Sequence, residues 1–262
     1  MIVIDKDLCT GCERCAGDCL SSAIRFTDGR AEVCRQCFEC GHCVAICPVG
    51  AVRFEGSGYD MSDVEPIGDG FGIDSETMLH AIKSRRSIRH FTADKPGRRE
   101  LETVLEAGRF SPTGSNAQNV SYIVFSETTD ELNRLAMEEL RKYRYDAAAF
   151  AEVFPPPMTT KRIDFDYDDF LFKGAPVVIL VLSPSAVNAS LATANMELQA
   201  ASLGMGALYV GFFTRLTEKN ERIRAYLGLS DTDRVVTCLA LGYPAVHYER
   251  TVPRKPANII WK

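Results

Sequence analysis

Past residue 74 the chain alternates helical and strand periodicities. Met78, Leu79 and Ile82 place apolar side chains along one helix face, with Asp74 or Ser75 standing where an N-cap belongs. Leu101, Val104, Leu105 and Gly108 recur at i, i+3, i+4 and i+7, which predicts a second helix. Residues 122–125 read as a strand and 130–145 as an amphipathic, heavily charged helix. Pro155-Pro156-Pro157 then breaks the chain, and regular signals are sparse up to Lys173. The apolar runs 175–182 and 234–241 are strand-like. Between them Leu191, Ala194, Leu198 and Ala201 stripe a long helix expected to be buried, ending at Gly204 and Gly206. This is an α+β pattern, a mixed sheet with surrounding helices.

The first 55 residues follow a different logic, set by cysteine. Cys9, Cys12, Cys15 and Cys19 form C-x2-C-x2-C-x3-C, and Cys37, Cys40, Cys43 and Cys47 repeat it 28 residues later. Ala23-Ile24-Arg25-Phe26 is answered by Ala51-Val52-Arg53-Phe54; the trailing Pro48 follows only the second run. Structural zinc needs four ligands per ion and a long spacer between C-x2-C pairs, which this spacing lacks. A disulfide framework is disfavoured too: the chain opens Met-Ile-Val-Ile-Asp without a basic-then-apolar leader, so reduced thiols are expected. Thiolates at every third residue wrap three corners of a 4Fe–4S cubane and leave the fourth to a ligand from elsewhere.

Residues 1–55 resemble a bacterial two-cluster ferredoxin. In such proteins the fourth cysteine of each run serves the other cluster. The resemblance implies Cys9, Cys12, Cys15 and Cys47 around one cluster, and Cys37, Cys40, Cys43 and Cys19 around the second. Cys34 would shift the second run by one step but strand Cys47 and Pro48, so it reads as a spare thiol. Cys238 sits in an apolar run and reads as a small core hydrophobe. His42 reads as a polar neighbour of the cluster.

A chain of 262 residues holds one small and one medium domain. Residues 56–74 form the joint, with Gly56, Gly58, Gly68, Gly70 and Gly72 among five acids, a composition that favours an extended, solvated connector. Gly68-x-Gly70-x-Gly72 lacks the preceding strand of a nucleotide loop. The expected layout is 1–55, linker 56–74 and a second domain 75–262. Net charge is −5 overall, which offers no footprint for a nucleic-acid backbone. The longest apolar run, 175–182, is far short of a membrane span of about 18–20 residues. A cytoplasmic protein without nucleic-acid or membrane partners is expected.

Four places carry chemistry in the second domain. Ser84-Arg85-Arg86-Ser87-Ile88-Arg89 gathers guanidinium and hydroxyl donors suited to a phosphate monoester. Ser111-Pro112-Thr113-Gly114-Ser115-Asn116-Ala117-Gln118 is a polar loop whose small residues permit close backbone approach. Leu203-Gly204-Met205-Gly206-Ala207-Leu208-Tyr209-Val210-Gly211 follows the long helix. Leu241-Gly242-Tyr243-Pro244 precedes the basic tail Pro253-Arg254-Lys255-Pro256. In this order and spacing they resemble the nitroreductase family of FMN enzymes from about Ser75 onward.

The resemblance implies FMN held by Arg85, Arg86, Ser87 and Arg89, with one arginine reaching the pyrimidine side of the ring. Pro112, Thr113, Gly114 and Asn116 would touch the flavin across a homodimer interface, although Asn119-Val120 replaces the family's usual Pro-Trp. Backbone N–H groups of Val210 and Gly211 would face N5 and O4, and Arg254 would return to the phosphate. Phe212, Phe213 and the aromatics of 150–172 are candidate walls of a substrate slot, or else a packed loop.

Joined, the two halves resemble ferredoxin–nitroreductase fusions. Clusters pass single electrons, whereas hydride reduction of a nitro compound, quinone or activated alkene takes two, and flavin mediates between the regimes. The expected route runs from an external low-potential donor through both clusters and FMN to a small organic acceptor. No side chain need act as a strong acid or base, since flavin N5 carries the chemistry. Two other readings stand beside it. Flow could reverse, with NAD(P)H or a substrate reducing FMN and the clusters exporting electrons. Alternatively, the chain could be a non-catalytic electron carrier or redox sensor.

Overall fold

The computed structural model describes residues 1–56, 58–68, 72–154, 156 and 158–262. Of the sequence features above, Gly70 and two of the three consecutive prolines, Pro155 and Pro157, lie outside the described residues. The chain forms two compact units: Met1–Gly72 with Gly114–Ala117, and Ile73–Thr113 with Gln118–Lys262.

The first unit is a doubled motif. It runs β1 (Ile2–Ile4), α1 (Arg14–Gly17), β2 (Ile24–Thr27), β3 (Arg30–Val33), α2 (His42–Ile46) and β4 (Val52–Phe54). β1 pairs antiparallel with β4, Ile2 opposite Phe54, and β2 with β3, Ile24 opposite Val33. Asp28 and Gly29, both at positive φ (52° and 77°), make the tight β2–β3 turn. The repeat extends to backbone conformation. Gly11 (φ 71°) answers Glu39 (53°), and Glu13 (62°) answers Gly41 (79°). Each helix thus begins after a left-handed residue, once glutamate and once glycine. The core is small: Ile2, Ile24, Ala31, Ala51 and Val52 pack with Cys9, Cys15 and Cys43. A core of this size ordinarily needs a metal staple.

Residues 59–63 of the joint are more ordered than its composition suggests. Tyr59 stacks on Phe54 at 3.9 Å between ring centroids, and Met61 sulfur accepts from the Phe54 N–H at 3.4 Å. Asp60 caps a 3-10 turn over Met61–Asp63. These two apolar side chains give the segment surface worth burying, which glycine and acid content alone conceals.

The second unit contains α3 (Ser75–Ser84), α4 (Arg98–Arg109), β5 (Ser121–Phe125), α5 (Thr129–Arg141), α6 (Ala147–Val153), β6 (Val177–Leu182), α7 (Ala186–Ser202), β7 (Gly206–Tyr209), α8 (Gly211–Lys219), α9 (Glu221–Tyr226) and β8 (Val235–Gly242). The sheet order is β5-β6-β8-β7 with antiparallel neighbours, and a parallel bridge from Ser87 to Ala207 makes it mixed. All six residues of β6 are buried because both faces of the sheet are covered. The period of two sorts them: Val178, Leu180 and Leu182 join a core with α5, α6, α8 and α9, while Val177, Ile179 and Val181 join one with α4 and α7. Cys238 is buried on the first of these faces as a core hydrophobe. Among the described residues no helix is long and apolar enough to cross a membrane.

One expectation is overturned on α7. The buried face is Asn188, Ala189, Ala192, Thr193, Met196, Glu197 and Ala200, not the Leu191–Ala194–Leu198–Ala201 stripe. Small alanines let the helix lie close to the sheet, where Thr193 and Thr237 hydroxyls meet at 2.6 Å. The helix is apolar on two faces, and periodicity cannot say which the sheet takes. Leu191 is 42% exposed. On α3 no residue is buried, although Asp74 caps it as expected.

Among the described residues Glu139 on α5 is the least exposed carboxylate, at 2%. It accepts from Lys142 at 2.5 Å, Asn220 at 2.8 Å and Arg222 at 2.9 Å. Burial would raise its pKa; the three donors outweigh burial and hold it down at about 2. Its contribution to stability is therefore complete above the ordinary value of 4.5 and fades as pH falls toward 2. Glu139→Gln is expected to cost about 1–3 kcal/mol at neutral pH and to flatten the acid limb of a Tm-against-pH curve. An unaltered acid limb would rule out the linkage.

Candidate functional site

The cysteines of the first unit separate into two quartets, each around its own apolar hollow. Cys9, Cys12, Cys15 and Cys47 line one with Ile4, Phe26 and Val52. Cys19, Cys37, Cys40 and Cys43 line the other with Ile2, Ile24 and Phe38. The fourth cysteine of each run stands in the other run's hollow. Cys34 lines neither; its backbone N–H bonds to the Ala23 carbonyl. Four thiols around one hollow suit a cubane, which takes a thiolate at each of its four irons.

Backbone donors point at the sulfurs. The Ala23 N–H reaches Cys19 Sγ and, at the equivalent place in the repeat, the Ala51 N–H reaches Cys47 Sγ, both at 3.2 Å. The Glu39 N–H reaches Cys37 Sγ at 3.2 Å. N–H groups of Ala31 and Gly11 hold the Cys9 thiol below its ordinary range. At Cys19 burial pushes the other way, but the Ser21 hydroxyl and neighbouring N–H groups prevail. Burial raises Cys43 to about 11, helped by Cys37 and Cys40 beside it. Such crowded thiolates call for positive charge among them, which iron supplies. The donor set fits 4Fe–4S clusters.

In the second unit the arginine run is placed by β7. Ser87 bridges Ala207, and the Ile88 N–H donates to the Ala207 carbonyl at 3.0 Å. Further along, the Thr92 N–H meets the Tyr243 carbonyl and the Ala245 N–H meets that of His90, so the segment after β8 holds the run's far end. A Cβ on Gly206 would lie 2.1 Å from Ile88 Cγ1; only glycine lets this segment so close. Arg85 pairs with Glu197 on α7 at 2.5 Å. Neither Arg86 nor Arg89 has an ion-pair partner among the described residues, and Arg89 donates to the Ser87 carbonyl at 3.3 Å. The run therefore presents fixed backbone and uncommitted cationic charge, which suits a phosphate.

Arg85 and Arg86 also line a cavity of about 660 Å³ between α3, the end of α4 and α7, with Asn195, Glu197, Met205 and Ala207. Ser87, Arg89, Pro112, Thr113, Gly114, Asn116, Val210, Gly211 and Arg254 do not line it. Pro112 and Thr113 follow Ser111, whose hydroxyl receives the Asn195 amide at 2.7 Å, and Thr113 Oγ1 accepts from the Gln118 N–H at 3.0 Å. Gly114 opens a 3-10 turn belonging to the first unit, in which Ser115 and Asn116 have positive φ. The Asn116 amide there donates to the Glu39 carbonyl at 2.9 Å and the Tyr59 hydroxyl at 3.0 Å.

Two expectations need correction. The Val210 N–H is spent on the Cys238 carbonyl of β8 at 2.8 Å, because β7 pairing runs one residue past the strand. The donors at this turn are instead the first N–H groups of α8, from Gly211 and Phe212, which have no carbonyl one turn behind them. Phe213 is fully buried against Phe172 and is core, not slot wall. Phe212 packs between Phe154 and Phe170, so the aromatics of 150–172 form a packed loop. Arg254 lies exposed in a tail without helix or strand.

Glu197 escaped the sequence reading, which gives Tyr209, inside the Leu203–Gly211 segment, no role of its own. Tyr209 closes β7, and burial, then the nearby Glu197 carboxylate, push its phenol well above the ordinary range. A signal existed: Glu197 is the single charged residue of α7, and buried glutamates are nearly always paired.

Comparison with known proteins agrees with both halves. Residues 1–51 match the model of the 4Fe-4S dicluster domain and residues 82–243 that of the nitroreductase family. The chain is 25% identical over 187 residues to the NADPH-flavin oxidoreductase of Vibrio harveyi, covering 70% of this chain and 71% of that one. Over 46 residues it is 47% identical to a component of the ion-translocating oxidoreductase complex of Methanosarcina acetivorans, 17% of each chain. A nitroreductase from Bacteroides fragilis, solved with bound FMN, shares the fold with a TM-score of 0.55 at 24% identity, over 70% of this chain and 97% of that one. The chain belongs to the nitroreductase family of oxidoreductases and carries an N-terminal 4Fe-4S dicluster domain.

Proposed function

We propose that this oxidoreductase binds two 4Fe–4S clusters in residues 1–55 and FMN in residues 75–262. It passes electrons from a low-potential donor through the clusters to FMN, and from there to a small organic acceptor such as a nitro compound, quinone or activated alkene. The observation that carries the reading is the exchange of Cys19 and Cys47 between two cysteine-lined hollows, in a chain whose remainder is a nitroreductase domain. Arg85, Arg86, Ser87 and Arg89 would hold the phosphate. Gly211 and Phe212 N–H groups would face the reacting edge of the ring, and Pro112 to Asn116 would approach it as a loop. Bound there, FMN would join one-electron supply to two-electron reduction of the acceptor.

A homodimer is part of the proposal. Leu191, Ala194 and Ala201 on α7 and Leu79 and Ile82 on α3 are exposed, an apolar surface that an isolated chain would leave in water. A second copy covering it would bring the loop after Ser111 to the flavin of its partner. A cytoplasmic location goes with reduced thiols and oxygen-sensitive clusters.

Anaerobic titration of the loaded protein tests the direction of flow. Reduced ferredoxin or dithionite should bleach the cluster absorbance and then the flavin, and a nitro compound or quinone should restore both. Flavin bleaching by NADPH ahead of the clusters would instead favour the reversed current, in keeping with the name of the Vibrio harveyi relative. Clusters and flavin that never exchange electrons would refute both.

A further inference from the structure

Among the described residues Glu197 is the one acidic side chain lining the cavity that Arg85 and Arg86 also line. It is 7% exposed and meets Arg85 Nη1 at 2.5 Å. A glutamate buried on an otherwise uncharged helix costs desolvation, which only a well-placed cation offsets. Near a site for a phosphate, a second negative charge would also repel the ligand, unless its task is to hold a cation in place. Arginine suits that task, because its planar fork has two usable edges. With one Nη committed to Glu197, the remaining N–H groups keep a fixed plane. Arg85 needs such a restraint: it ends α3, a helix with no buried residue, and its own backbone has left the helical region (φ −56°, ψ 135°). The carboxylate thus ties the end of α3 to α7.

We propose that Glu197 is a positioning residue for the cofactor phosphate: it orients the Arg85 guanidinium, and thereby gives this chain its preference for FMN over the unphosphorylated flavin. This rests on the reading of Arg85 as a phosphate ligand. It adds a residue on α7, outside all four sequence motifs, that acts only through that arginine.

Two opposing effects decide the outcome. Orientation makes Glu197 favourable to FMN, whereas its charge makes it unfavourable. If orientation wins, Glu197→Ala weakens FMN binding to apoprotein at least about tenfold while riboflavin affinity stays unchanged, and Glu197→Gln, which keeps an acceptor without charge assistance, falls between. Flavin fluorescence quenching reads both constants, and unchanged riboflavin affinity certifies the fold. An FMN-to-riboflavin ratio that is unchanged or raised in both Glu197 variants overturns the proposal. A double-mutant cycle separates it from its premise. Arg85→Ala should lower the same ratio, and adding Glu197→Ala should then change nothing more. A ratio unaffected by Arg85→Ala refutes Arg85 as phosphate ligand. A further fall in the double variant leaves that reading standing and refutes action through Arg85. Should Glu197→Ala not fold, Glu197→Gln alone decides: a fall in the ratio supports orientation, and none overturns it.

Discussion

Cys19→Ser is expected to remove the cluster of the second repeat and leave that of the first, halving bound iron from about eight to about four atoms per chain. Sequence neighbourhood alone would say the opposite, since Cys19 closes the run of Cys9, Cys12 and Cys15. The fold decides otherwise: Cys19 shares its hollow with Cys37, Cys40 and Cys43. Pairwise variants make the assignment testable by iron analysis and low-temperature EPR. Cys19→Ser with Cys40→Ser should lose no more iron than either alone, because both damage one cluster. Cys19→Ser with Cys12→Ser should lose nearly all of it. The reverse pattern would mean that each run closes on itself.

Gly206→Ala is expected to be the most damaging small substitution in the second unit. Its Cβ would sit 2.1 Å from Ile88 Cγ1 and 2.9 Å from Ile88 Cβ. Ile88 is buried and cannot swing into solvent, so the Ser87–Ile88 segment must leave β7, taking Arg85–Arg89 with it. Overpacking of this kind costs about 1–3 kcal/mol, and FMN affinity should fall more than tenfold. Gly204→Ala is the control. Gly204 ends α7 at φ +76° with open space where a Cβ would go, so alanine should cost about 1 kcal/mol of stability without loss of flavin. Wild-type flavin affinity in Gly206→Ala would show that β7 does not hold the arginine run in place.

Long uniform runs were the legible part of the fold. The 175–182 and 234–241 stretches became β6 and β8 because a sheet covered on both faces needs apolar residues at every position. Asp74 announced α3, since a carboxylate before a helical run finds donors three residues on, here the Thr77 N–H and hydroxyl. The cysteine spacing was legible for a different reason: a cubane admits few arrangements of thiolates along a chain. What stayed hidden were choices between equals. α7 is apolar on two sides, and only the sheet's position selects one. Val210 and Gly211 are neighbours, and only strand register tells which N–H is already bonded. Phe212 and Phe213 look alike in sequence, yet the helical turn sends Phe213 fully into the core. The Arg85–Glu197 pair joins residues 112 apart, beyond any local pattern.

The ten residues of α3 end none of their side chains in the interior. Helices that short are marginal by themselves in water, where nucleation outweighs the gain of a few turns. In the proposed homodimer the element would borrow its order from the second copy lying on Leu79 and Ile82, so that ordering and docking would be one event. Dilution of that dimer would fray the very segment that ends in the arginine run, and how tightly the protein keeps its cofactor would become a function of how much of the protein there is.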